Sequence, residues 1–229
     1  MSTLAIAHRG DPHGHRENTV PAVLAALEQG ADLVEIDLAL TRDGTVVLLH
    51  DRTLTRLWAR DVPVADADFA ELRRNRHGRY EIPGFEQVMR LLVAGDGGLM
   101  ADLPVPAAAE PTAEIVARYD AFDRTVFAGH LDSLRRVRKR WPEARIALSW
   151  NEPELPAAEL LAELKPEFFN PQWTLLTREV VERMHELALR VSTWTVDSPS
   201  NMARMLEMGV DAVITNRLRH FLSLREEGE

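Results

Sequence analysis

The stretch Leu33-Val34-Glu35-Ile36-Asp37-Leu38-Ala39-Leu40, then Thr41-Arg42-Asp43-Gly44, then Thr45-Val46-Val47-Leu48-Leu49-His50 decides the architecture. Both flanking runs are apolar and rich in β-branched residues, as buried strands are. Four residues are too few for the crossover that parallel strands require, and Asp-Gly favours a tight hairpin, so the two runs pair antiparallel. If Asp43-Gly44 alone forms the turn, Arg42 pairs with Thr45 and His50 lies across from Asp37. A three-residue loop shifts that pairing by one. Glu35 and Asp37 stand two apart on one strand and therefore share a face, split by Ile36.

On either side of the hairpin, short apolar runs alternate with segments of helical period. Strands are predicted at Leu4–His8, Leu33–Leu40, Thr45–His50, Leu99–Leu103, Thr125–Ala128, Arg145–Ser149, Phe168–Pro171, Val191–Val196 and Ala212–Thr215. Helices are predicted at Val20–Gln29, Phe85–Leu92, Thr112–Tyr119, Leu131–Trp141, Ala157–Leu164, Thr177–Leu189 and Ser200–Met208. With the return strand set aside, eight strands with helices between them predict an α/β chain. Its form is a distorted (β/α)8 TIM barrel with a β-hairpin after the second strand. A doubly wound open sheet is the competing architecture. No linker, low-complexity tract or fixed repeat divides residues 1–229, which read as a single domain. The charged, irregular stretch 59–83 reads as a small excursion on its rim.

Composition narrows the chemistry. The 229 residues contain no cysteine, which excludes a disulfide framework, a thiolate zinc site, an iron–sulfur cluster and a cysteine nucleophile. Lys and Arg number 27 against 36 Asp and Glu, a formal charge of −9 that argues against a duplex nucleic-acid partner. No signal-peptide pattern opens the chain and no run approaches membrane-spanning length, so the expectation is a cytoplasmic protein acting on a small soluble molecule. Nothing in the pattern specifies an oligomeric state.

Candidate functional residues fall at strand ends. The first strand ends in His8-Arg9-Gly10, the return strand in His50-Asp51, and the strand Leu99-Met100-Ala101-Asp102-Leu103 supplies a third carboxylate. Two carboxylates on one face repel unless a cation or a shared proton intervenes. Oxygen-only ligands suit Mg²⁺ or Ca²⁺ better than zinc. Three carboxylates, two histidines and an arginine at successive strand ends resemble a metal-assisted phosphoryl-transfer site.

In order along the chain, His8-Arg9-Gly10, Glu17-Asn18-Thr19, Glu35-Ile36-Asp37, Thr41-Arg42-Asp43-Gly44, His50-Asp51 and Leu54-Thr55-Arg56 resemble the motifs of the glycerophosphodiester phosphodiesterases. Ile82-Pro83-Gly84-Phe85-Glu86, Trp194-Thr195-Val196 and Gly209-Val210-Asp211-Ala212-Val213-Ile214-Thr215 extend the resemblance over essentially the whole chain. That family belongs to the phospholipase C-like phosphodiesterases. The resemblance implies one divalent cation, Mg²⁺ or Ca²⁺, held by Glu35 and Asp37, with Asp102 in the third ligand's place. It implies His8 and His50 as general acid and base, Arg9 on the phosphate, and Trp194 walling the pocket beside the substrate alcohol. The implied substrate is a glycerophosphodiester, cleaved to sn-glycerol 3-phosphate and an alcohol.

The chain departs from that pattern in places. The family's third ligand is a Glu followed two residues later by Lys, and here Asp102 and Pro104 occupy those positions. Ala128-Gly129 stands where Ser-Phe is usual, and Arg16 replaces a proline and offers a substitute cation. A weakened or non-catalytic relative that binds phosphodiesters or a partner is therefore one alternative. A lyase resembling sphingomyelinase D is another. Glu17 and Asn18 are expected to cap the first helix and brace the site, His13 and His15 to be solvated, and Arg135–Arg140 to form a helix's wet face.

Overall fold

The computed structural model describes residues 2–74 and 76–227. The described residues form strands and helices in the order β1 (Leu4–His8), α1 (Val20–Glu28), β2 (Leu33–Leu40), β3 (Val46–Leu48), α2 (Thr55–Trp58), α3 (Phe69–Arg74), α4 (Phe85–Val93), β4 (Leu99–Leu103), α5 (Pro106–Arg118) and β5 (Thr125–Gly129). They continue through α6 (Leu131–Arg140), β6 (Arg145–Trp150), α7 (Ala158–Leu164), β7 (Phe168–Pro171), α8 (Arg178–Glu186), β8 (Arg190–Thr193), α9 (Pro199–Met208), β9 (Ala212–Thr215) and α10 (Leu218–Glu227). Eight strands pair in parallel around a ring in the order β1-β2-β4-β5-β6-β7-β8-β9, and β9 returns to β1. The closed (β/α)8 barrel is thus the observed fold, and the open doubly wound sheet is not.

Strand alternation sorts the apolar residues into two layers. Ile6, Leu33, Met100, Val126, Ala128, Ala147, Phe168, Ala212 and Ile214 pack together, filling the barrel. Their neighbours of opposite parity, such as Ala7, Val34, Ile36, Ala101 and Phe127, pack in a second cluster with the helices. This is the two-residue period of strands closed into a cylinder.

β3 lies outside the ring, antiparallel to β2, as the short Thr41–Gly44 connection predicts. Its register corrects the two-residue turn. Leu40 faces Val46, the Thr41 N–H donates to Thr45 O (3.0 Å), and Gly44 takes φ +77°, so three residues form the loop. A type I turn closed by a left-handed glycine serves a three-residue hairpin as well as Asp-Gly serves a two-residue one. Asp37 consequently stands opposite Leu49, whose N–H donates to Asp37 O at 3.0 Å, and His50 falls one position further on.

Two further expectations change. α5 begins at Pro106, six residues before the helix expected from Thr112: Pro106 occupies the first turn, where no N–H partner is needed, and the helix continues through Pro111 in its interior. α10 lacks any sequence-based expectation at all. The stretch 59–83 also carries its own apolar cluster, in which Trp58, Val64, Leu72 and Ile82 pack beneath Ala39, Val47 and Leu49 of the hairpin.

Candidate active site

The residues at the C-terminal ends of the strands continue the interior parity. His8 follows Ile6, Glu35 and Asp37 follow Leu33, Asp102 follows Met100, Asn170 follows Phe168, and Asn216 follows Ile214. A cavity of about 720 Å³ opens there, and His8, Arg9, Glu35, Asp37, His50, Asp102 and Trp194 all border it. The C-terminal face is where barrel enzymes carry their catalytic groups.

Glu35 lies opposite His8, and Asp37 lies opposite Asp102, so the three acids crowd one corner. Burial, then the charges of Asp37 and Asp102, push the Glu35 carboxyl well above the usual range, against Arg9. Burial and Asp37 push Asp102 up to about 7. The Asp102 carboxyl accepts no hydrogen bond and joins no ion pair among the described residues. Oxygen donors whose own repulsion raises their pKa values suit a hard divalent cation, which favours the ionised forms. Among the described residues no three His, Asp or Glu side chains are already gathered into a coordination shell. The fit is therefore one of donor chemistry.

Arg9 is built into this corner by an unusual backbone. It takes φ +60°, and its N–H donates to both Glu35 O (2.9 Å) and Glu35 Oε2 (3.1 Å). A non-glycine residue held in the left-handed region costs of order 1–3 kcal/mol, so the surrounding contacts must fix it. The guanidinium donates to Glu17 Oε1 (3.0 Å). Its Nε stands 3.0 Å from Asp37 Oδ2, yet that buried N–H is misaligned and makes no hydrogen bond. A donor buried without an acceptor beside an open cavity suits an anionic ligand.

Two imidazoles face the same cavity with one nitrogen fixed. Asn216 Nδ2 donates to Asp197 Oδ2 (2.7 Å), which turns its Oδ1 toward His8 Nδ1 at 2.8 Å. An amide oxygen only accepts, so His8 carries its proton on Nδ1 and leaves Nε2, 3.9 Å from Glu35 Oε2, as the basic nitrogen. Burial and then Arg9 hold the His8 pKa below 6.5, against Asn216 and the nearby acids. His50 Nδ1 lies 2.7 Å from Asp51 Oδ1, an acceptor, which likewise leaves Nε2 available.

A belt of charges ties these groups together. Arg56 donates to Glu17 Oε1 (2.6 Å) and to Asp51 Oδ2 (2.6 Å), so it links the carboxylate behind Arg9 to the one behind His50. Arg56 and Arg9 hold the Glu17 carboxyl below its usual value although burial pushes it up. Glu17 thus braces the site. Asn18 does so too, through Asp37, but neither caps α1, whose cap position is Thr19.

Arg16 does not serve as the substitute cation. It stacks on Trp58 (4.8 Å) and Tyr80 (5.7 Å), meets His77, and does not border the cavity. His13 and His15 lie outside the cavity as well. The basic face of α6 is engaged by acids of its neighbours, Arg135 by Glu163 and Arg140 by Glu110 and Glu114. Trp194 borders the pocket and anchors its indole N–H on Asn170 O (3.1 Å). Asp197 and Asn216 escape sequence reasoning; the parity step from Ile214 is the signal that could have found Asn216.

A closed barrel with buried acids, a fixed arginine and two oriented imidazoles at one rim defines the class of barrel enzymes that work on anionic esters. The pattern of the glycerophosphoryl diester phosphodiesterase family matches residues 8–220, and the chain belongs to that family. It is 30% identical to the glycerophosphodiester phosphodiesterase of Caldanaerobacter subterraneus subsp. tengcongensis, with 100% of both chains covered. The glycerophosphodiester phosphodiesterase of Bacillus altitudinis is 28% identical, over 98% of this chain and 99% of that one. In fold, the chain is similar to an Oleispira antarctica phosphodiesterase solved in complex with the product sn-glycerol-3-phosphate. The TM-score is 0.87 at 23% identity, covering 98% of this chain and 97% of that one. The enzyme class is that of the glycerophosphodiester phosphodiesterases. No helix among the described residues is long and apolar enough to cross a membrane.

Proposed function

We propose that this chain cleaves glycerophosphodiesters to sn-glycerol 3-phosphate and an alcohol by acid–base catalysis at His8 and His50, assisted by one divalent cation. The observation that carries the reading is the pair of imidazoles on one cavity, each with Nδ1 engaged and Nε2 left for proton transfer. His8, kept neutral by burial and Arg9, is the proton acceptor, and His50 is then the donor.

In this reading, His8 Nε2 takes the proton from the glycerol hydroxyl beside the phosphate, and that oxygen attacks phosphorus. His50 gives a proton to the departing alkoxide, which leaves as the free alcohol. In the second stage the roles reverse. His50 draws a proton from water, the water oxygen opens the five-membered cyclic phosphate, and His8 returns its proton to the ring oxygen. Arg9 holds a phosphoryl oxygen with its unused Nε–H, and Trp194 lines the side of the pocket beside the alcohol. Glu35, Asp37 and Asp102 would hold Mg²⁺ or Ca²⁺. Bound there, the cation supplies positive charge against the phosphoryl oxygens as charge develops.

The test is incubation with glycerophosphocholine and Mg²⁺ or Ca²⁺ while sn-glycerol 3-phosphate is followed. Metal-dependent release supports the reading and overturns a binding-only role. A folded protein that turns over no headgroup with either metal overturns it. Accumulation of the cyclic phosphate as final product identifies the lyase alternative instead.

A further inference from the structure

The strand ends between Asp102 and Trp150 form a wall of the cavity that the reading above leaves without a role. Pro104 borders the cavity at the end of β4 and has no N–H to offer. Its neighbour across the β4–β5 pair is His130, which also borders the cavity and belongs to none of the networks around Arg9, His8 or His50.

His130 is held with unusual care for an exposed residue. Gly129 before it takes φ +109°, and a Cβ there would sit 2.5 Å from Leu103 N, so only glycine lets the two chains come this close. Ser149 Oγ accepts the Gly129 N–H at 3.1 Å, and the His130 N–H donates to Leu103 O at 3.1 Å. The imidazole then caps α6, its Nδ1 accepting the Asp132 N–H at 3.2 Å. A ring nitrogen that accepts carries no proton, so the proton is on Nε2. That nitrogen points away from the helix and has no partner among the described residues. The result is a neutral, fixed N–H donor on the wall where Pro104 supplies none.

We propose that His130 is a substrate-binding residue whose Nε2–H donates to a non-bridging phosphoryl oxygen of the glycerophosphodiester, a second anchor beside Arg9. This rests on the function proposed above. It also accounts for why the helix cap is histidine: Ser, Asp or Asn caps a helix better, but Ser and Asp offer no second donor on the far side, and the Asn amide N–H falls short of the Nε2 position.

Asparagine separates the two roles, because its Oδ1 replaces Nδ1 as the cap acceptor and nothing replaces Nε2. His130→Asn should unfold at or slightly above the wild-type temperature, whereas His130→Ala should unfold lower. Calorimetric titration with sn-glycerol 3-phosphate should show affinity weakened roughly tenfold to a hundredfold in His130→Asn, the range for losing one hydrogen bond to a charged group. KM for glycerophosphocholine should rise alongside, with kcat changed much less. His130→Gln, whose Nε2 amide reaches close to the imidazole Nε2 position, should recover part of the affinity. If wild type binds sn-glycerol 3-phosphate and His130→Asn binds it equally well, this inference is overturned while the proposed function stands. A wild-type protein that neither binds sn-glycerol 3-phosphate nor cleaves any glycerophosphodiester overturns both.

Discussion

Asn18 grips Asp37 at two points: its Nδ2 donates to Asp37 Oδ2 at 2.6 Å and its Oδ1 accepts the Asp37 N–H at 3.1 Å. Both residues are buried, and Asn18 takes φ +54°, a conformation asparagine tolerates better than most side chains. The first loop therefore sets the orientation of a carboxylate on the second strand.

Removing that grip should cost both stability and activity. Asn18→Gly keeps the backbone conformation and deletes the amide, leaving a buried carboxylate short of a donor. Urea unfolding should show a loss of about 1–3 kcal/mol. The metal concentration for half-maximal activity should rise as well. A Gly variant as stable and as active as wild type would show that the two hydrogen bonds are incidental.

The Asn216 contact makes a prediction about pH. In the proposed mechanism His8 works as a base only when neutral, and its pKa lies below 6.5, so the acid limb of kcat/KM should fall below that value. Asn216→Asp adds an anion against the imidazole, which favours its protonated form and moves the limb to higher pH. Asn216→Ala should lower kcat about tenfold to a hundredfold through loss of ring orientation, the effect typical of residues that orient a working imidazole. Rate profiles from pH 5 to 9 distinguish the two variants.

In the proposed ligand set, Asp102 couples cation binding to protons. Its carboxyl is pushed up to about 7 by burial and Asp37, so below that pH a cation must displace a proton to bind there. Metal affinity should therefore weaken steadily from pH 8 to pH 6, and calorimetry in buffers of different ionisation heat should detect proton release. Asp102→Asn should raise the metal requirement and flatten this pH dependence. An unchanged titration would remove Asp102 from the ligand set.

At the opposite end of the barrel, Glu167 accepts Arg145 Nε (2.7 Å) and Nη2 (2.9 Å), with Arg190 at 3.4 Å. Against burial, these arginines hold its pKa below 4.5. A depressed carboxylate stabilises the fold above its unfolded pKa, and that stability is lost as pH falls through the folded value. Glu167→Gln should cost about 1 kcal/mol at pH 7, modest because the cluster is partly solvated. The two proteins should converge in melting temperature as pH falls below the folded pKa of Glu167.

Much of this arrangement is legible in the sequence because it follows from period two. Glu35-Ile36-Asp37 places two acids on one face of any strand, and the short Thr41–Gly44 link forces β3 to turn back. The hairpin register is not legible, because a left-handed Gly44 serves a two-residue and a three-residue loop alike. Arg16 looks like a site cation beside Glu17, but Trp58 and Tyr80, far along the chain, draw it away. Pro111 reads as a helix breaker just before Thr112, which hid the start of α5, yet the helix runs through it from Pro106. Asp197 and Asn216 carry no motif signal, since their task is to orient another residue.

The contact between His8 and Asn216 joins positions 208 residues apart. It exists because the last strand of the ring, β9, hydrogen-bonds to the first. The set of the His8 ring is therefore a property of the closed cylinder and not of the strand that carries it. A change that parts β9 from β1 would free this imidazole to turn without touching any residue near it in sequence.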